Sequence, residues 1–168
     1  MGGEAVGSAV VDLLYGEKNP SGKLAETFPL RLEDNPSYLY YFGEGDLTEY
    51  REGIFVGYRY YDKKDMEVLF PFGYGLSYTT FEYSDLQVMR KSPCYFEVSF
   101  KVKNTGSYDG EEVAQLYLRD EYASVVQPLR QLKCFERFFL KRGEEKEIFF
   151  TLTEKDLSII DRLSLIHI

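Results

Sequence analysis

The run Leu69-Phe70-Pro71-Phe72-Gly73-Tyr74-Gly75-Leu76-Ser77-Tyr78-Thr79-Thr80-Phe81 leaves little room for regular structure. Pro71, Gly73 and Gly75 fall too close together for a helix or for a regular strand. The run nevertheless holds five aromatic rings and no charge. A flexible linker would be rich in Gly and Ser and almost free of rings. This run therefore reads as an ordered, aromatic-rich connection between two folded units.

Downstream of it the pattern is β. Phe96, Val98, Phe100 and Val102 alternate with Glu97, Ser99, Lys101 and Lys103, giving a strand with one buried and one wet face. Residues 104–110 form a loop of turn-forming residues. Glu112 to Arg119 is a second strand, with Ala114, Leu116 and Leu118 on one face. Leu132 to Leu140 is a third, and Glu145 to Leu152 a fourth, joined by a turn at Lys141–Glu144. Thr153 and Asp156 are spaced as a capping box for one helical turn. Short strands at this spacing predict a β-sandwich. The tail after Arg162 is apolar, lacks strand alternation and is too short to close a sandwich.

Upstream, Val6, Ala9, Val10, Leu13 and Leu14 recur at helical spacing and predict a helix with one buried stripe, stopped by Gly16. Asn19–Gly22 reads as a turn, and Lys23 to Phe28 as a short strand closed by Pro29. Helix, turn and strand are half of an α/β unit, and the parallel sheet they should join is missing. Residues 31–65 read as irregular, interrupted by Pro36, Gly43, Gly45, Gly53 and Gly57 but dense in rings. Long irregular segments of this kind are functional or belong to larger assemblies.

Composition narrows the function. With 168 residues and 44% hydrophobic content, the chain holds one domain, or a small domain and part of another. A formal net charge of −8 and the lack of a basic patch argue against nucleic acid. No apolar run approaches the ~20 residues of a membrane span. No signal peptide is visible, and the compartment is not legible beyond a slight leaning to the cytoplasm. Cys94 and Cys134 sit in strand-like, apolar surroundings and read as free thiols rather than a disulfide.

Four segments together resemble one family. Asn19-Pro20-Ser21-Gly22-Lys23-Leu24-Ala25-Glu26-Thr27-Phe28-Pro29 is similar to the end of the α/β sandwich domain of glycoside hydrolase family 3. Glu52 to Asp62 resembles the segment that follows it there. Leu69 to Phe81 is similar to that family's entry into a fibronectin type III-like domain. Val102–Gly106 with Asp109–Leu118 resembles that domain's early strands. The likeness covers roughly residues 3 to 161. It implies a mainly β chain: a fibronectin type III-like, incomplete sandwich preceded by a helix–strand remnant. The implied division is an α/β-sandwich remnant at 1–30, an aromatic-rich segment at 31–80, and the fibronectin-like domain at 81–168.

The resemblance also implies an activity for the parent protein. It would be an exo-acting retaining β-glycosidase, of β-glucosidase type, with two carboxyl groups about 5–5.5 Å apart. Its partners would be a β-linked glucoside and the missing (β/α)8 barrel and α/β sandwich. In the family the nucleophilic Asp and the acid/base Glu lie upstream of the region matched here. No catalytic, metal or cofactor residue is therefore carried over, and no cofactor is expected. The chain is expected to be a piece cut at both ends, with its last residues foreign. The competing expectation is a freestanding β-sandwich that binds carbohydrate or protein.

Each tempting side chain has a plainer reading. Glu52, in an aromatic loop, could be a tuned carboxylate, but a loop Glu bonded to backbone N–H groups, Arg51 or Arg59 is the simpler account. Asp62 and Asp65 could ligate a cation only with more oxygen donors, so a solvated turn is preferred. Asp109, Glu111 and Glu112 could hold calcium, but read better as a wet hairpin edge that discourages strand pairing. His167, the one histidine, has no triad or zinc partners. Lys23 lacks the spacing of a phosphate loop and reads as solvated or salt-bridged. Tyr38, Tyr40, Tyr41, Tyr58, Tyr60 and Tyr61 either pack the loop in place or stack on sugar rings.

Overall fold

The computed structural model describes residues 3–159 in full and the backbone of Ile160, Ile166 and His167. In chain order it contains α1 (Val6–Leu14), β1 (Phe28–Pro29), a 3-10 turn (Leu32–Asp34), α2 (Tyr58–Lys64) and β2 (Val68–Phe70). Then come β3 (Phe81–Ser92), β4 (Tyr95–Asn104), β5 (Gly110–Leu118), β6 (Gln131–Leu140), β7 (Glu145–Leu152), α3 (Glu154–Leu157), β8 (Ile159–Ile160) and β9 (Ile166–His167). The chain is mainly β, as its pattern predicts. It divides into two units. The first holds the residues up to Gly22, Gly75–Ala114 and those from Cys134 onward; the second holds Lys23–Tyr74 and Gln115–Lys133.

In the first unit, β3, β4 and β7 form an antiparallel sheet in that order; β5 pairs with β6, and each of these two strands has residues in both units. Val98 lies opposite Phe150, and Phe100 opposite Ile148. These four residues, Val102, Ala114, Phe138, Leu140 and Leu152 are the buried apolar core. The period of two fixes this register, because a slip of one residue would turn the whole set to water. Asn104 continues the inward row and is completely buried. Its amide NH2 donates to the Tyr108 and Leu140 carbonyls at 2.8 and 3.2 Å, and its Oδ1 accepts the Thr79 hydroxyl at 2.5 Å. α1 is held by the Tyr78 hydroxyl, which donates to the Leu13 carbonyl at 2.7 Å.

β3 is one edge of the sheet, and most of its residues are exposed. Two register shifts interrupt it, one beside Asp85 at φ +54, and Asp85 and Lys91 pair with Lys101 and Glu97. Bulges and charges on an edge discourage pairing with another chain. In the second unit, β1 and β2 pair antiparallel, with the Phe28 and Phe70 rings edge to face at 6.4 Å.

Several expectations need correction. The apolar stripe of α1 is present, but Val6, Val10 and Leu14 are exposed and only Leu13 is half-covered. Periodicity reports which face wants cover, not whether cover is supplied. Asn19–Gly22 is not a turn. It has no regular structure and is fastened by the Asn19 side chain to the Asp109 carbonyl and the Tyr78 N–H. The strand expected over Lys23–Phe28 is β1, two residues long with Pro29 inside it. Leu24 exchanges backbone hydrogen bonds with Gly73 and Tyr74, but a bend at Ala25–Glu26 breaks the ladder.

The segment 31–65 is not irregular throughout, since it contains α2. Gly57 at φ +60 opens that helix and Asp65 at φ +51 ends it. The first long strand is β3, which the alternation reading passed over because most of its residues are exposed. Leu69 and Phe70 lie in β2, so the aromatic run is in part a strand. Cys94 lies in the β3–β4 turn rather than in a strand, and Cys94 and Cys134 are not joined in a disulfide. The tail does pair: β9 is antiparallel to β8, while 161–165 lie outside the described residues.

Two outcomes follow. Asn104→Ala should lower unfolding stability by roughly 3 kcal/mol, because it strands buried partners; urea unfolding measures it. Burial, reinforced by the neighbouring Glu112 carboxylate, holds the Tyr83 phenol protonated above its usual 10.0. The folded state then keeps a proton that the unfolded chain releases, so this contribution is full below pH 10 and declines as pH rises beyond it. Tyr83→Phe should flatten the alkaline fall of Tm relative to the parent.

Candidate functional site

The ring-rich loop of residues 35–52, in the second unit, braces itself. Asn35 Oδ1 accepts the Ser37 N–H and hydroxyl at 3.0 and 2.7 Å, fixing the entry. Glu44 and Leu47 exchange backbone hydrogen bonds at 2.9 and 3.1 Å. Gly43, at φ +66, has no room for a side chain, since a Cβ would lie 2.5 Å from the Leu47 carbonyl oxygen. The Arg51 guanidinium pairs with Glu49 and lies 4.3 Å from the centre of the Tyr40 ring. The Glu49 hydrogen bond raises the Arg51 pKa above its ordinary value. Hollows of about 110 and 180 Å3 indent the loop. Phe42 is 94% exposed and Tyr50 88% exposed.

A second cluster surrounds α2. Tyr58 stacks on Phe72 at 4.7 Å, meets Tyr117 edge to face at 5.9 Å, and accepts the Leu132 N–H at 2.8 Å through its hydroxyl. Asp62 accepts two hydrogen bonds from Arg130, at 2.6 Å from Nε and 3.1 Å from Nη2. This bidentate fork raises the Arg130 pKa. Tyr61 is buried at the base of the helix, and burial pushes the Tyr61 and Tyr117 phenols up. The cluster can fix a loop and present ring faces and hydrogen-bonding groups.

The sequence candidates land as follows. Asp62 is no solvated turn residue: it sits on a helix and is paired. Asp65 caps that helix. Arg51 and Arg59 do not bond Glu52; Arg51 takes Glu49, and Arg59 lies over Tyr58. The wet edge expected of Asp109, Glu111 and Glu112 holds only in part, since Asp109 is exposed but Glu112 is buried. Asp109 accepts the Arg142 N–H at 2.7 Å, Glu111 pairs with Arg137 and accepts the Ser21 hydroxyl, and Glu112 is buried on β5 and accepts the Val113 N–H. Their differing partners pull the three apart. Among the described residues no group of three or more His, Cys, Asp or Glu converges. For His167 only the backbone is described. Of the rings, Tyr61 packs, Tyr58 and Tyr60 are half-covered, and Tyr38, Tyr40 and Tyr41 lie open.

Sequence reasoning missed Arg130 and Asn104. Arg130 lies 68 residues from Asp62, and no local pattern links them. Asn104 had a signal, a polar residue in the inward register after Val98, Phe100 and Val102.

Asp62→Ala and Arg130→Ala, combined in a double-mutant cycle of unfolding, should show a coupling of about 1 kcal/mol, the scale of a partly exposed pair.

Comparison with known proteins places these features. Residues 1–78 match the model of the glycosyl hydrolase family 3 C-terminal domain, and residues 112–165 that of the fibronectin type III-like domain. Thermostable beta-glucosidase B of Acetivibrio thermocellus is 56% identical over 158 residues, which are 92% of this chain and 21% of that protein. Beta-glucosidase BoGH3A of Bacteroides ovatus is 46% identical over 95% of this chain and 22% of its own length. Among solved structures, the Bifidobacterium adolescentis GH3 β-glucosidase superposes with a TM-score of 0.93 at 40% identity, covering 98% of this chain and 25% of that one. The Kluyveromyces marxianus β-glucosidase in complex with glucose gives 0.89 at 43% identity, over 96% and 20%. The chain thus spans about a fifth of the length of the curated relatives it matches.

Proposed function

Since the chain belongs to glycoside hydrolase family 3, we propose that it serves as the C-terminal portion of an exo-acting, retaining β-glucosidase. The observation that carries this reading is the 56% identity to a β-glucosidase over 92% of the chain. In this reading a β-linked glucoside is the substrate of the intact protein. Its nucleophile and acid/base lie in domains upstream of the matched region, and no residue of this chain is catalytic.

The role of the chain is then to complete and cover those domains. Residues 1–30 finish the α/β sandwich, 31–80 run across a neighbouring surface, and 81–168 form the fibronectin-like domain. The bare stripe of α1 supports this role. Val6, Val10 and Leu14 form an apolar face that water hydrates at a cost of about 25 cal/mol per Å2. The open rings of the 38–50 loop support it equally. A freestanding binding module has less support, because residues 1–78 match a hydrolase domain and not a binding domain.

The test is a chimera. This chain replaces the matching C-terminal residues of the Acetivibrio thermocellus relative, and hydrolysis of an aryl β-glucoside is measured. The expected kcat/KM lies within about tenfold of the relative's own, a change of about 1.4 kcal/mol in barrier. The chain alone should show no turnover, since acid–base assistance by itself is worth about 10²–10⁴-fold and a nucleophile is also required. Turnover by the chain alone, or a folded but dead chimera, overturns the proposal.

A further inference from the structure

We propose that the cleft at the C-terminal end of α2 is a binding site for a neutral pyranoside. The cleft has a volume of about 410 Å3 and lies wholly within the second unit. That volume is in the range of small-molecule sites, about 300–1,000 Å3. Tyr61, Met66, Tyr117 and Leu129 give it apolar walls. Asp62, Asp65, Arg119 and Arg130 stand around them.

Three features select the ligand. The four charged groups sum to zero, two carboxylates against two guanidiniums, so a phosphate meets two anions and a cation meets two arginines. A neutral molecule suffers neither repulsion. Second, Arg130 is already oriented. Its Nε and Nη2 hold Asp62, and its guanidinium carbon lies 5.2 Å from the Tyr117 ring centre. The Nη1 hydrogens remain to donate, and the Asp65 carboxylate in the same lining can accept. Donors and acceptors in one cleft suit the hydroxyls of a sugar. Third, the Arg119 side chain is exposed and bonds no other described residue. It lines the same cleft as Arg130, whose Nε and Nη2 are taken by Asp62, so its own donors are available to a ligand. Ring faces for C–H surfaces, with paired donors and acceptors for hydroxyls, make a sugar-binding surface. The choice of a β-glucoside as probe rests on the proposed function.

The experiment uses the full 168-residue chain. Methyl β-glucoside is titrated while backbone amide NMR shifts are followed. Amides of residues 61–66, 117–119 and 129–130 should move saturably, with Kd on the order of 1 mM. Arg119→Ala should keep the dispersed spectrum of the folded chain and weaken binding at least about tenfold. Tyr50→Ala, outside the cleft, should bind like the parent. The proposal is overturned by any of three results: no saturable shift, unchanged affinity in Arg119→Ala, or displacement of the sugar by inorganic phosphate. The chimera separates this failure from that of the proposed function. A chain that ignores the sugar while the chimera hydrolyses loses the cleft alone. A chain that binds while a folded chimera is inactive loses the glucosidase reading alone.

Discussion

The side chain of Asn104 is the point on which the β unit hangs. Its oxygen accepts the Thr79 hydroxyl and the Gly106 N–H, and its NH2 bonds the Tyr108 and Leu140 carbonyls. Its backbone adds the Glu144 carbonyl and the Gly143 N–H, at 2.9 and 3.0 Å. One residue thus joins the end of β4, the segment before β3, the 105–110 loop, the end of β6 and the β6–β7 turn. In a site closed to water each of these bonds is strong, and each would be costly to leave unmade. Close approach is part of the device. A side chain at Gly106 would strike Thr79 Oγ1 and the Thr80 backbone nitrogen.

Asn19 repeats the idea nearer the surface. Its amide bonds the Asp109 carbonyl, the Tyr78 N–H and the Ser77 hydroxyl, and Gly110 must stay small beneath it, since a Cβ there would be 2.5 Å from Asn19 Nδ2. Arg137, Glu111 and Ser21 form a third link. The chain leaving α1 is therefore fastened to the β unit by polar bonds, although α1 buries almost none of its own apolar face there. Polar bonds fix position with little burial, while apolar faces need area. That division lets α1 keep a defined place and an open stripe.

Much of the β unit was legible in the residues. The Phe96–Val102 alternation, the Glu145–Leu152 strand, the Gly143 turn and the capping box at Thr153 and Asp156 all appear where the pattern puts them, because each depends on neighbours two to four residues away. The family was legible for the same reason, since its motifs are contiguous. β3 was not, because its short alternations, Phe81 with Tyr83 and Leu86 with Val88, are broken by a bulge at Asp85 and left largely exposed. α2 was hidden among glycines, and its one buried ring, Tyr61, gives no period. Within the candidate cluster, Tyr58 packs as expected of a loop ring, but Asp62 was misread, and the groups that define the two, Arg130 and the Leu132 N–H, come from the far side of a long excursion of the chain.

The residues by themselves determined the β class, the strand registers and the faces that seek cover, because side-chain period and turn chemistry act over a few positions. Only the tertiary structure decided which polar groups meet. It gave Asp62 its arginine, sent Asp109, Glu111 and Glu112 to separate partners, and made Asn104 a buried hub. Hydrogen bonds and ion pairs are short-ranged in space but indifferent to distance along the chain, so their partners exist only once the backbone has brought them together.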